Sequence, residues 1–228
     1  MSRSEFNNVL VVIAHPDDAE LGAGGSVARW VQDGAVVRVI VCTNGDKGTK
    51  DGVSPLKLAQ IREAEQLAAS KALGVKETVF LRHRDGELED ERAFRNQIAF
   101  LIRHFRPDTI VTHDPWRPHY QHPDHQAVGH AVFKSVVYAR DDNFLPELAL
   151  AGIHAHHTNA LLYTNAFAPN FFVDIESVFE KKINAIGCHK CQIPNLPATA
   201  GRVRQRCEDT GRLAGMRLAE GFTITRMR

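Results

Sequence analysis

Two short stretches of this chain carry side chains that bind divalent metals. His15-Pro16-Asp17-Asp18 supplies an imidazole and two carboxylates, and His122-Pro123-Asp124-His125 supplies two imidazoles and a third carboxylate. Each has a bland reading when taken singly. Asp18 could cap a helix, since acidic side chains suit its positive N-terminal end, but one carboxylate is enough for that and His15 and the second acid are left over. Two histidines three residues apart share one helical face and could both be surface polar groups. Taken jointly, the stretches are better explained by a mononuclear metal site. Zn2+ accepts imidazole nitrogen and carboxylate oxygen, and two histidines with one carboxylate leave coordination positions open for water and substrate, the mark of a catalytic site. The same ligand set serves ferrous iron, so Fe2+ is the alternative metal.

The elements that must hold these groups are legible from hydrophobic pattern. Val9–Ala14, Val36–Thr43, Thr78–Leu81 and Thr109–Thr112 read as buried strands. Helices are expected over Ala19–Asp33, over Leu56–Leu73 with Gly74 as its stop, and over Glu91–Phe105 before Pro107. This alternation predicts an α/β fold, a Rossmann-like three-layer α/β/α arrangement around a mostly parallel sheet. The first motif then sits where the first strand meets the first helix, at the carboxyl edge where open α/β sheets bind ligands. The second follows the strand Thr109–Thr112 and reaches the same edge, with Pro123 opening a fourth helix. Beyond it the pattern predicts a long functional loop over Asp141–Thr158, strands at Ala160–Thr164 and Phe171–Ile175, and helices over Ser177–Gly187 and Arg202–Leu218. No repeat or linker divides the chain, so residues 1–228 are expected to form a single domain.

Other features argue against competing functions. The 28 Lys+Arg and 27 Asp+Glu leave a formal charge of +1, which disfavours nucleic-acid binding by bulk charge. Gly22-Ala23-Gly24-Gly25 lacks the third glycine of a dinucleotide fingerprint, and Asp17 and Asp18 occupy the turn where a pyrophosphate would approach. Its glycines are expected to let the first helix pack closely on the sheet. Cys188-His189-Lys190-Cys191 has redox or zinc spacing but no second matching pair. Seven arginines against three acids after Ala200 read as a solvated or subunit-facing helix. The run Val9–Ala14 is too short for a signal peptide, no stretch reaches the roughly 18 apolar residues of a membrane span, and four scattered cysteines suit a reducing compartment. A cytoplasmic protein is expected.

The two motifs, their order and separation, the Thr43-Asn44-Gly45-Asp46-Lys47-Gly48 loop and the Ile61-Arg62-Glu63-Ala64-Glu65 helix together resemble the LmbE-like, or PIG-L, family of zinc-dependent N-acetylglucosaminyl deacetylases. The likeness runs through most of the chain, thins after about Asp141 and returns over Ala185–Gln192. It implies that His15, Asp18 and His125 are the metal ligands and Asp17 the general base. It makes His122 the group that stabilises the oxyanion or protonates the leaving amine, oriented and kept protonated by Asp124. It places Tyr120, Arg62 and Asp85 near the sugar, with Arg140 and His189 as further substrate contacts. It implies hydrolysis of an N-acetyl group to acetate and a free amine, with an N-acetylated sugar or glycoconjugate as substrate, and a homo-oligomer, trimer or hexamer. A metal-dependent phosphoesterase and a non-catalytic metal- or nucleotide-binding module are the rival readings.

Overall fold

The computed structural model describes residues 6–48, 52–119 and 122–227. Its core is a seven-stranded sheet built from β1 (Asn8–Ile13), β2 (Val36–Thr43), β3 (Glu77–His83), β4 (Thr109–His113), β5 (Ala160–Thr164), β6 (Phe171–Asp174) and β7 (Ala219–Arg226), in the order β3-β2-β1-β4-β5-β7-β6. The first five strands are parallel, while β7 runs antiparallel to both β5 and β6. Strand β1 is apolar throughout because both sheet faces are covered, and its alternation splits it between two cores. Val9, Val11 and Ile13 pack with α1 (Asp18–Gln32), α2 (Pro55–Leu73), α6 (Phe179–Ile186) and α7 (Leu196–Ala214). Leu10 and Val12 pack with α3 (Arg92–Phe105) and α4 (Pro123–Ala139) on the other face. The expected three-layer arrangement is therefore the observed one. Among the described residues no helix is long and apolar enough to cross a membrane.

The topology decides where a site can form. From β1 the chain builds outward to β2 and β3 on one side and then returns to place β4 on the other. The order reverses between β1 and β4, and a reversal of this kind opens a crevice at the carboxyl ends of the two strands. Helix α1 leaves the end of β1 and α4 the end of β4, so both motifs lie at that crevice. Close packing of α1 requires Gly25: a Cβ there would fall 2.8 Å from Ile175 Cδ1.

Two expectations are corrected. The last helix starts at Leu196, where the Asn195 side chain accepts the Ala198 N–H at 3.0 Å, and stops at Gly215 with φ 67°. The residues after it form β7 between β5 and β6, a strand the sequence reading did not include. The segment Asp141–Thr158 lies at the opposite edge from the crevice, because α4 carries the chain back there before β5 begins. It holds a 3-10 turn, Asp142–Phe144, and a short helix, α5 (Pro146–Leu150). Buried Arg103 pins it by donating to the carbonyls of Tyr138, Ala139, Asp141 and Leu145.

Candidate metal centre

Between β1 and α1 the chain turns through Asp17, whose φ of 104° is left-handed. A non-glycine residue held there costs on the order of 1–3 kcal/mol and persists only where its surroundings enforce it. The turn lets the Asp18 carboxylate fold back on its own loop, where Oδ2 accepts the His15 N–H at 2.8 Å. From the other side of the crevice, the first turn of α4 delivers Asp124 and His125.

Three donor atoms converge. His15 Nδ1 lies 3.2 Å from Asp18 Oδ2, His125 Nε2 lies 3.2 Å from the same oxygen, and the two nitrogens are 3.1 Å apart. Ligand atoms around a tetrahedral Zn2+ with bonds of ~2.0–2.1 Å are about 3.3 Å apart, so the triangle has the size such an ion requires. The donor chemistry fits as well. His15 Nε2 faces Asp124 Oδ2 at 3.1 Å and Asp85 Oδ1 at 3.2 Å. Two carboxylates there hold a ring proton on Nε2 and direct Nδ1 toward Asp18 and His125, the outer-shell arrangement that orients metal-binding imidazoles.

Residues 10–136 match the family model for GlcNAc-PI de-N-acetylase, PIG-L. The chain belongs to the PIG-L family. It is 34% identical over 222 residues to the diacetylchitobiose deacetylase of Thermococcus kodakarensis, an alignment covering 96% of this chain and 83% of that one. Its fold superposes on N,N'-diacetylchitobiose deacetylase from Pyrococcus horikoshii with a TM-score of 0.93 at 30% identity, covering 97% and 85% of the two chains. A 4-carboxy-2-hydroxymuconate hydratase from Pseudomonas putida KT2440 shares the fold alone, at a TM-score of 0.83 and 24% identity over 97% of each chain.

Charge in this PIG-L site is concentrated. In the metal-free protein burial opposes a charge on His15, yet Asp124, Asp18 and Asp85 outweigh it and push its pKa up to about 11, so a metal binding at Nδ1 must displace a proton there. Burial also opposes ionisation of Asp18, and His125 and His113 overcome it, holding that carboxyl well below its ordinary range. Burial and the neighbouring Asp18 raise Asp17 to about 7, with Arg62 pulling the other way. A carboxyl near neutrality suits a general base.

The structure brings His15, Asp17, Asp18, His122, His125, Asp85 and Asp124 together. The His122 ring stands 4.5 Å from that of His15 and stacks at 4.7 Å on that of His125. The expected service of Asp124 to His122 is corrected. Its Oδ2 faces His15 and accepts the Gly86 N–H at 2.7 Å, and its Oδ1 accepts the Leu88 N–H at 3.2 Å, while His122 Nδ1 is buried without a hydrogen-bond partner. Burial and the adjacent His15 and His125 lower the His122 pKa against the pull of Asp124, so the expected gain of a proton is reversed.

Among the residues expected at the sugar, Arg62 is buried and its guanidinium donates to Pro16 O at 2.6 Å, Gly45 O at 3.1 Å and Asp17 Oδ2 at 3.2 Å. Gly45 and Gly48 make room for it, since a Cβ at either would meet the guanidinium. His189 is also buried, with Nε2 3.1 Å from Glu20 Oε2. Arg140 is a correction: it closes α4 at the end remote from the site, about 25 Å away at 1.5 Å per residue. Tyr120 lies outside the described residues. Sequence reasoning gave no role to His113, which ends β4, accepts the Ala14 N–H on Nε2 at 3.1 Å and stacks on His125 at 3.9 Å. Its place at a strand end on the carboxyl edge was the available signal. Asp46 was missed too; it accepts the Asp85 N–H at 3.0 Å and so steadies the loop after β3.

Proposed function

We propose that this PIG-L family member is a Zn2+-dependent N-deacetylase, hydrolysing the acetamide of an N-acetylglucosamine-containing sugar or glycoconjugate to acetate and a free amine. The observation that carries the reading is the near-equilateral triangle of His15 Nδ1, Asp18 Oδ2 and His125 Nε2, with Asp17 beside it. A divalent metal held by these three side chains lowers the pKa of bound water and polarises a carbonyl.

The protein's own groups supply the rest. Asp17, held by the Arg62 guanidinium, takes the proton of the attacking water. His122, whose ring stands against those of His15 and His125, donates from its ring to the carbonyl oxygen as negative charge builds there. Asp124 and Asp85 keep His15 in the required tautomer and orientation. The carbon–nitrogen bond then breaks and the proton passes to the departing amine. In this reading the chain works as a single domain, as a homo-oligomeric trimer or hexamer, and in the cytoplasm, where its four unpaired cysteines would stay reduced.

The test is acetate release from a panel of N-acetylglucosamine derivatives, with phosphate esters alongside, using protein stripped of metal and reloaded with Zn2+ or Fe2+. Zinc-restored acetate release is expected. Phosphate release without acetate, or metal binding with neither product, would sink the proposal.

A further inference from the structure

The left-handed turn at Asp17 is braced from α2. On that helix Arg62, Gln66 and Ser70 stand four residues apart and form a polar column within a buried face. Gln66 is fully buried, and its Oε1 accepts the backbone N–H of Asp17 at 3.0 Å. Its Nε2 donates to Glu20 Oε1 at 2.8 Å and to Ser70 Oγ at 3.2 Å. Glu20, also fully buried, meets His189 Nε2 through its other oxygen. A glutamine amide has one accepting and one donating end. Glu20 offers only acceptors, so it takes the nitrogen end and leaves the oxygen for Asp17.

We propose that Gln66, oriented by Glu20, is a positioning residue for Asp17: it clamps the backbone N–H of the left-handed turn and so aims the carboxylate. This rests on the reading of Asp17 as general base. Arg62 touches the Asp17 carboxylate itself, whereas Gln66 reaches only the backbone. Its removal therefore changes where the base points without removing a charge beside it.

Three variants test the clamp. Gln66→Met keeps the length and apolar packing but cannot accept the N–H. Gln66→Glu sets two carboxylates face to face. The double variant Gln66→Glu with Glu20→Gln exchanges donor and acceptor, so that the new glutamate accepts from Asp17 and from the new glutamine, which still accepts from His189. Amide hydrogen exchange at Asp17, followed by NMR in metal-free protein, reads the bond directly. Zinc content per folded chain, kcat and KM read its consequence.

Both single variants are expected to lower kcat about ten- to a hundred-fold, the scale of a misaimed catalytic group, and Gln66→Met, which has no acceptor for the N–H, to speed exchange at Asp17 as well. KM and zinc content should stay within about two-fold, and the exchanged pair should recover most of the kcat lost in Gln66→Glu. Unchanged kcat in Gln66→Met, a loss that merely follows the folded fraction, or an exchanged pair that restores nothing would overturn the proposal. Should the wild-type protein release no acetate at all, the deacetylase reading falls, while the exchange rates still decide whether Gln66 clamps the turn.

Discussion

Asp124→Asn decides which histidine the buried carboxylate serves. Asp124 is fully buried and faces three donors: Gly86 N–H and His15 Nε2 at Oδ2, and Leu88 N–H at Oδ1. Asparagine offers one oxygen and one NH2 group. With its oxygen toward Gly86 and His15, the NH2 meets the Leu88 N–H donor to donor; turned over, it meets two donors instead. At least one buried N–H loses its partner, at a cost of about 1–3 kcal/mol. For a chain of this length that lowers Tm of the metal-free protein by roughly 2–12 °C. His15 loses its charged anchor as well, and loss of such an outer-shell partner typically weakens metal binding by about 10–100-fold, or ~1.4–2.8 kcal/mol.

Zinc Kd measured by competition with a chromophoric chelator, and Tm of the metal-free protein by calorimetry, check both magnitudes. If Asp124 served His122 instead, the variant would bind zinc like wild type and lose only turnover. A zinc Kd within about two-fold of wild type, with kcat reduced, would therefore refute the assignment to His15.

Asp17→Asn should keep its zinc, measured by metal analysis, and lose about 10²–10⁴-fold in kcat, the usual contribution of a general base. His15→Ala and His125→Ala should lose the metal itself, because either removes one corner of the triangle. Arg140→Ala should leave kcat and KM within about two-fold of wild type in steady-state assays, since the residue lies a helix length from the crevice. Lys182→Met should destabilise the fold by about 3–5 kcal/mol in urea denaturation, because Lys182 Nζ lies 2.6 Å from Glu220 Oε1 in the core and the glutamate would be left buried without its cation.

What could be read from the sequence follows the range of the physics involved. The apolar run of β1, the left-handed stop at Gly74 and the proline opening α4 are local signals, and the elements stand where those signals put them. Both motifs lie at strand ends on the carboxyl edge for the same reason. Strand β7 was not legible, because its place is set by pairing with β5 and β6, and its Glu220 is tolerated only through Lys182 and the amides of Gly25 and Ser26. The true partner of Asp124 was hidden likewise. A neighbour in the chain suggested His122, but the fold carries the loop after β3 over the carboxylate and presents His15 from a residue 109 positions away. Arg140 was placed by nearness in sequence, which a straight helix converts into distance.

The capping reading of Asp18 illustrates how site and stability compete. A capping side chain requires an extended backbone at the N-cap and accepts an N–H two or three residues on. Ser54 before α2 has that geometry, with φ −63° and ψ 147°, and its side chain accepts the Lys57 N–H. Asp17 stands at the same position before α1 and is a residue type that caps well, yet its φ of 104° turns it out of register and its side chain makes no capping bond. Asp18 folds back to the His15 N–H instead of serving the helix. About 1 kcal/mol of helix stability is forgone, on top of the strain in the turn itself. A chain selected for stability alone would place an extended Asp or Ser here. One that leaves both carboxylates uncapping and holds the strained turn with Arg62 and Gln66 has its acids committed to the crevice, which is the geometry that the proposed metal triangle and its base require.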